Sequence, residues 1–244
     1  MTLLMALWIW SMPQAAAPTA PRATLLEEMA CAPLGLPAPP SPSMRVLGGN
    51  VPGRRLFGPG DAIIIGGGSA QGVQAGQQYF IRRTVTDPAT PQPKEGALYG
   101  VHTAGWVTVV DVKEAMAVAR VTHACDGVLE GDYLEPFVPP ALPPAALTGA
   151  PDYENPGHIV MGDELRQTAS AGMFLFMDRG ADNGVRAGQV LTIYRATLNG
   201  QGPMLDVARA TVLSASTKTA VLRVDNSREG IYLGDLVAIH RITP

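Results

Sequence analysis

The segment Gly72-Val73-Gln74-Ala75-Gly76-Gln77 recurs further along the chain as Gly184-Val185-Arg186-Ala187-Gly188-Gln189. In each copy an apolar stretch follows and ends in arginine, at Arg82-Arg83 in the first and at Arg195 in the second. Two later blocks match in the same order: Ala117-Val118-Ala119-Arg120-Val121 with Ala220-Val221-Leu222-Arg223-Val224, and Gly131-Asp132-Tyr133-Leu134 with Gly234-Asp235-Leu236-Val237. The shared order predicts two copies of one folding unit, at residues 44–137 and 157–244.

Both copies have the local pattern of β-strands. Short segments rich in β-branched or aromatic residues, such as 62–65 and 106–110, are bounded by Gly, Pro or Asp. Neither copy shows a sustained 3.6-residue apolar period. Five or six strands in about 90 residues, separated by tight turns, predict a small closed barrel. The predicted fold class is therefore all-β, with two tandem small β-barrels of five to six strands each.

The segments outside the two copies are rich in proline. Residues 138–156 are predicted to be a Pro-rich linker between the barrels, and residues 21–43 a Pro-rich amino-terminal arm. Within that arm, Thr24 to Ala30 is the best helix candidate. The distance between matching blocks falls from 112 to 103 residues, so the first copy carries extra residues. We place them in the polar loop Thr86–Gly96, because length changes in a surface loop cost little.

The start of the chain and its two cysteines indicate export. An apolar run from Leu3 to Trp10 precedes small residues of the kind that signal peptidase accepts, so residues 1–20 are predicted to be a signal peptide. The run is too short to cross a bilayer as a helix, and no integral membrane span is expected. Cys31 and Cys125 are an even pair, which in an exported chain predicts one disulfide. Two buried free thiols, or a metal or catalytic role for them, are the alternatives.

Composition excludes one class of partner. The net charge is −3, charged residues make up only 16% of the chain, and no block of like charge is present. Such a chain cannot concentrate phosphates by electrostatics, so nucleic acid is not an expected partner. The apolar content of 46% supplies enough side chains for a core and excludes disorder of the whole chain.

Familiar catalytic and cofactor motifs are missing. The glycines of Gly66–Gly72 follow a strand, but Gln71 stands where a dinucleotide fingerprint needs its third glycine, so a turn is predicted there and no cofactor. The Gly-Asp pairs at the starts of strands are typical of turns. His102, His123, His158 and His240 occur singly, without metal-ligand spacing, and no metal site is predicted. The serines form no nucleophile elbow. We therefore expect no catalytic residues and no enzyme.

Aromatic residues are the better indication of binding. Most of them are expected to be core, but Trp106 follows Gly105 and lies near the polar Thr103, so its ring could face a sugar or a peptide. Arg82 and Arg83 come close to it if their strands pair. These three residues form the candidate binding site.

The whole pattern is similar to a module of exported bacterial envelope proteins. The string Gly-Val-x-Ala-Gly-Gln, an apolar strand, Arg, a Val-rich strand, Ala-x-x-Arg-Val and Gly-Asp resembles the barrel modules that follow LysM domains, and the carboxy-terminal barrel of flagellar assembly protein T. The resemblance covers both copies. It implies a non-catalytic, peptidoglycan-associated envelope module for binding or assembly. It carries over no functional residues, because the matching positions are structural.

Together these features predict a periplasmic or secreted cell-envelope protein that binds or scaffolds without catalysis. Its partner would be an envelope protein or a glycan. The alternative is an exported hydrolase whose carboxylate site lies between the two repeats. A third reading is structural packing in a larger assembly.

Overall fold

The computed structural model describes residues 22–85, 98–141, 146–197 and 202–241. The predicted signal peptide and the loop Thr86–Gly96 lie outside the described residues. Within the described part the protein is an all-β structure, and the one α-helix there has nine residues. None of the described helices is long and apolar enough to cross a membrane.

The first half of the chain contains the α-helix and nine strands. They are α1 (Arg22–Ala30), β1 (Leu34–Leu36), β2 (Val46–Gly49), β3 (Leu56–Phe57), β4 (Ala62–Ile65), β5 (Gln78–Val85), β6 (Tyr99–Val112), β7 (Ala117–Ala124), β8 (Val128–Leu129) and β9 (Tyr133–Pro136). The helix occupies the predicted position, and it ends directly before Cys31.

The second half contains eight strands. They are β10 (Ala150–Gly162), β11 (Thr168–Ala169), β12 (Phe174–Met177), β13 (Val190–Ala196), β14 (Met204–Ala215), β15 (Ala220–Ser227), β16 (Ile231–Tyr232) and β17 (Leu236–Arg241). Short 3-10 turns lie at Ser69–Gln71, Asp163–Leu165 and Ala181–Asn183.

The second half is a closed six-stranded barrel, in the order β10-β12-β15-β14-β13-β17. The first half forms a sheet whose main path is β2-β4-β7-β6-β5-β9, with β1 added on β6. Position by position, this order is that of the barrel. The end strands of the first sheet also meet, because Arg45 forms an antiparallel bridge with Tyr133. Backbone hydrogen bonds from Val46 N to Asp132 O (2.8 Å) and from Leu134 N to Met44 O (3.1 Å) support this contact between the end strands.

Each half encloses its own apolar core. The core of the first half includes Ile63, Ile65, Ile81 and Val107, and that of the second includes Leu191 and Leu222, all fully buried. Alternate residues of a strand face the same side, so the short β-branched segments fill the interior with every second side chain.

The glycine-rich loops in both halves are tight turns. In the first half Ser69 N and Ala70 N donate to Lys113 O and Glu114 O, at 2.9 and 3.0 Å. A Cβ on Gly68 would lie 2.3 Å from Lys113 O, which only glycine avoids. The amides that a bound phosphate would need are thus already used by a neighbouring hairpin.

The corresponding loop in the second half has the same arrangement. Ala181 N donates to Ser216 O at 2.8 Å, and a Cβ on Gly180 would come within 2.2 Å of that same oxygen. Gly72 and Gly184, which end the two turns, have φ values of 80° and 78°. Both loops therefore form the same kind of turn, with the same backbone contacts and a glycine of positive φ at the end.

One predicted boundary is wrong. Residues 150–156 were predicted to be linker, but β10 begins at Ala150, so the strand includes them. Proline usually argues against a strand because it lacks an N–H donor. Here the register of β10 is broken between Asp152 and Gly157, and Pro156 lies in that irregular stretch. Pro156 is therefore not paired with a residue of β17, whereas Pro151 is paired with His240 within the ladder.

Candidate functional site

The predicted disulfide forms between Cys31 and Cys125. It closes a sequence separation of 94 residues and ties the end of α1 to the end of β7. His123 lies close enough to both sulfurs for the three to resemble a metal cluster. Because both thiols are consumed by the disulfide, no thiolate is left to bind a cation there.

Trp106 lies beside this disulfide and is only 8% exposed. Its ring stacks on His123, with centroids 4.3 Å apart and planes 10° from parallel. Phe137 and Phe80 lie against it at 5.5 and 6.5 Å. The ring thus belongs to a small core under the amino-terminal arm and does not present an open face in this conformation.

Arg82 lies on the same side of β5 as Phe80 and is 6% exposed. Its guanidinium lies over the Phe80 ring at 4.4 Å and donates to Thr103 Oγ1 at 2.6 Å. Its Nε is 2.9 Å from Glu135 Oε2, in a direction that makes no hydrogen bond. Burial lowers the pKa of Arg82, and the charge of Glu135 opposes that shift.

A groove of about 440 Å³ opens beside Arg82. Its walls come from the segment after α1, from the end of β9 and from β14 of the second half. Pro33, Phe80, Pro136 and Val138 make most of it apolar, with Arg82 and Glu135 as its charged groups. Of the three predicted binding residues, Arg82 lines this groove.

Arg83 points to a different place and forms a two-pronged ion pair. Its Nε and one Nη donate to the two carboxylate oxygens of Asp132, at 2.8 and 3.0 Å. The same Nη donates to Gly127 O at 2.9 Å, and the other Nη donates to Glu164 Oε1 at 2.9 Å. Burial opposes the charged form of Arg83, but the hydrogen bond to Asp132 and the charges of Asp132, Glu164 and Asp126 outweigh it and raise the pKa of Arg83. The structure therefore separates Arg83 from Trp106 and places it between the two halves.

His102 pairs across the strands with Arg83 and lies in a polar cluster between the two halves. It is 5% exposed. Its Nδ1 lies 3.1 Å from Asp163 Oδ2, and its Nε2 lies 3.4 Å from Asp126 Oδ2 and 3.7 Å from Glu164 Oε1. We call His102, Asp126, Asp163 and Glu164 the junction cluster. His102 and Asp126 belong to the first half, and Asp163 and Glu164 to the second.

The charges of the junction cluster act on the imidazole. Burial by itself would lower the pKa of His102. The hydrogen bond to Asp163 and the negative charges of Asp163, Glu164 and Asp126 outweigh burial, so the pKa of His102 is raised. The pocket around the ring thus favours positive charge.

The backbone at the cluster is unusual. Glu164 and Leu165 have φ values of 54° and 59°, which non-glycine residues rarely adopt. Such strain persists only where surrounding contacts hold it, and it often marks functional sites. Here the Glu164 side chain is held by Arg83 of the other half.

Sequence reasoning missed the junction cluster. His102 is 24 residues from Asp126 and 62 from Glu164, and no spacing rule connects them. A comparison of the two copies gives the missing signal. Arg195 in the second half pairs with Leu205, where Arg83 pairs with His102. His102 is polar, whereas Leu205 at the matching position is apolar. The fold can therefore be built with an apolar residue there, which indicates that His102 has another role.

Comparison with known proteins adds no family. No protein-family model matches the chain, and a search of curated proteins finds no significant match. The functional argument therefore rests on the chain's own residues.

Proposed function

We propose that this protein is an exported component of the bacterial cell envelope that binds or scaffolds and breaks no bonds. The observation that carries the proposal is the strand order, which is the same in the sheet of the first half and in the barrel of the second half. Repetition of the same turns and ion pairs supports a duplicated barrel module. In this proposal the first half is a second small barrel, joined to the other by a shortened Pro-rich linker.

Export is supported by the disulfide. Disulfides persist in oxidising compartments and are rare in the cytosol. The bond between Cys31 and Cys125 fastens the amino-terminal arm over the first half. A periplasmic or secreted location, with residues 1–20 as signal peptide, agrees with that chemistry.

The groove beside Arg82 is the proposed binding surface. Its apolar wall and single buried guanidinium suit an extended envelope ligand that offers an apolar face and an acceptor oxygen. Both peptidoglycan and an envelope protein carry such groups. Trp106 supports this surface from beneath, because its ring packs against Phe80 in the groove wall.

Co-sedimentation with purified peptidoglycan, together with pull-down from envelope extracts, tests the proposal. The wild-type chain is expected to recover a glycan or a protein above background. Arg82→Met keeps the packing of the side chain but removes its charge, and it should reduce recovery several-fold. Arg55→Gln changes an arginine that is 79% exposed and away from the groove, so it is the matched control. Recovery that is absent, or equal for Arg82→Met, would contradict the proposal.

An exported hydrolase is the second candidate, and the junction cluster favours it. One carboxylate oxygen of Asp126 and one of Glu164 lie within 4.8 Å of each other, slightly closer than the about 5–5.5 Å that separates the paired catalytic carboxylates of retaining glycosidases. Access argues against a polymeric substrate, because the side chains of His102 and Asp163 are only 6% and 15% exposed. Cleavage of peptidoglycan by the wild type, abolished in Asp126→Asn, would establish this candidate instead.

A further inference from the structure

We propose that His102 Nε2, Asp126 Oδ2 and Glu164 Oε1 bind one divalent transition-metal ion of the zinc type at the junction of the two halves. This inference goes beyond the proposed function and does not depend on it. The three ligands come from β6, from the turn between β7 and β8, and from the 3-10 turn after β10.

The distances fit a single ion. Zinc binds histidine nitrogen and carboxylate oxygen at about 2.0–2.2 Å, which places the ligands of a tetrahedron about 3.3–3.6 Å apart. His102 Nε2 lies 3.4 Å from Asp126 Oδ2 and 3.7 Å from Glu164 Oε1. All three atoms lie within 4.8 Å of one another. Small side-chain movements would therefore complete the coordination.

The buried ring nitrogen supplies an independent observation. His102 Nε2 is buried and has no hydrogen-bond partner, although it points between two carboxylates. A buried polar atom without a partner is costly, and a metal bond would satisfy it. An acidic cluster alone would not indicate a ligand, but this nitrogen does.

Asp163 acts as the positioning residue. Its carboxylate lies 3.1 Å from His102 Nδ1, on the opposite side of the ring from the proposed ion. In metal sites the second ring nitrogen almost always donates to a carboxylate or a carbonyl, which leaves the other nitrogen free to bind. Asp163 Oδ1 also accepts from Glu164 N at 3.0 Å, so one carboxylate holds both the ring and a ligand-bearing turn.

The charge balance favours a cation. Four carboxylates meet here, those of the junction cluster and Asp132, and the two nearest guanidiniums are Arg83 and the 56% exposed Arg166. A metal-bound imidazole is neutral, so the two guanidiniums alone leave an excess of negative charge that a divalent ion offsets.

The ligand types select the ion. An imidazole nitrogen with two carboxylates suits zinc and its neighbours better than calcium or magnesium, which prefer shells of oxygen alone. The Asp126 side chain is 40% exposed and provides a path for entry.

Titration of the metal-free, oxidised whole chain with ZnCl₂ by calorimetry and equilibrium dialysis tests the proposal. The wild type is expected to bind one Zn²⁺ per chain. Asp126→Asn should lower the affinity at least about 10-fold, since it removes a ligand. Glu229→Gln is the matched control, because Glu229 holds the position of Asp126 in the second half and pairs with Arg195. It should bind as the wild type does.

A stability readout covers variants that fold poorly. Zn²⁺ should raise the melting temperature of the wild type and of Glu229→Gln by the same amount, and that of Asp126→Asn by much less. His102→Asn, if it folds, should show no shift. Equal zinc affinity in the wild type and in Asp126→Asn, or no zinc binding by the wild type, would overturn the proposal.

Discussion

The two Arg–Asp ion pairs, one in each half, have nearly the same geometry and different surroundings. Arg195 donates to both oxygens of Asp235 at 2.7 Å and to Gly230 O at 3.0 Å, as Arg83 does to Asp132 and Gly127. In both halves the aspartate also accepts a turn amide at 2.8 Å. The shared ion pair therefore fastens a turn to a strand of the sheet in each half.

The remaining nitrogen of each arginine marks the difference. In the second half it reaches Glu229 of the same turn, at 3.4 Å. In the first half Asp126 holds that position but lies beside His102, and Arg83 reaches Glu164 of the other half instead. The ion pair is present in both halves, whereas the described residues contain one cluster of the junction type. Contacts that depart from the repeat thus identify the place where function is expected.

The disulfide belongs to the first half, and the second half has no cysteine to form a counterpart. Replacing Cys31 and Cys125 with serine should lower the free energy of unfolding by about 2–5 kcal/mol, because the unfolded chain regains a long open loop. Hydrogen exchange followed by mass spectrometry should show the loss of protection in the first half. Reduction of the wild type is the matching control. An equal loss in β12–β17 would contradict the view that the halves are separate cores.

Asp132 and Asp235 should contribute equally to the free energy of unfolding if their two ion pairs are equivalent. Asp132→Asn and Asp235→Asn should each lower the free energy of unfolding by about 2 kcal/mol, since each leaves an arginine and a turn amide poorly matched. Chemical denaturation measures this. Glu130→Gln, in the exposed pair with Arg55, should change stability by less than about 0.5 kcal/mol. A clear difference between the losses of unfolding free energy in the two variants would show that the two ion pairs are not equivalent.

His240 makes the second half sensitive to acid. Its ring is buried and hydrogen-bonded to Thr192 Oγ1 at 2.8 Å. Burial, with a smaller effect of Arg209, lowers the pKa of His240. As the pH falls, His240 is therefore protonated in the unfolded chain before it is protonated in the folded one. The free energy of unfolding decreases below about pH 6.5, by at most about 1.4 kcal/mol per pH unit.

Denaturation between pH 7.5 and 5, compared for the wild type and His240→Phe, measures this effect. Phenylalanine is the matched replacement, because Phe137 holds the corresponding position in the first half, as the register of the strands shows. The variant should lose part of the acid dependence in the second half. An unchanged pH profile would mean that His240 does not titrate on unfolding.

The smallest effect concerns backbone strain. Leu165 has a φ of 59°, whereas in the turn after β2 of the first half a positive φ of 79° falls on Gly53. Leu165→Gly should raise the free energy of unfolding by up to about 1 kcal/mol, because glycine relieves the strain but has more freedom when unfolded. Thermal denaturation measures the change. Leu165→Ala keeps the strain and should give no gain, so a gain in that variant would contradict the explanation.

The sequence predicted those parts of the structure that depend on near neighbours. The strands follow from the short β-branched segments, and the turns follow from Gly68, Gly72, Gly180 and Gly184, whose spacing is repeated. The disulfide was predictable for another reason, because a chain with only two cysteines allows only one pairing.

The predicted binding residues show where that reasoning ends. The sequence placed Trp106, Arg82 and Arg83 close together, and the register of β5 and β6 does pair Phe80 with Trp106 and Arg82 with Thr103. A register shift between Ile81 and Arg82 and the alternation of side chains then send Arg82 to the groove and Arg83 to the junction. Burial of Trp106 depends on the amino-terminal arm, which the disulfide holds in place.

By itself the sequence determined an all-β chain with a repeated set of turns and one cross-link, since these depend on residue type and short spacing. Only the tertiary structure decided that His102, Asp126 and Glu164 meet. Their meeting requires the strand register of the first half, the path of the turn after β7 and a strained turn of the second half at once. Local sequence preferences do not predict this contact, because none of the three residues belongs to a recognisable motif in the sequence.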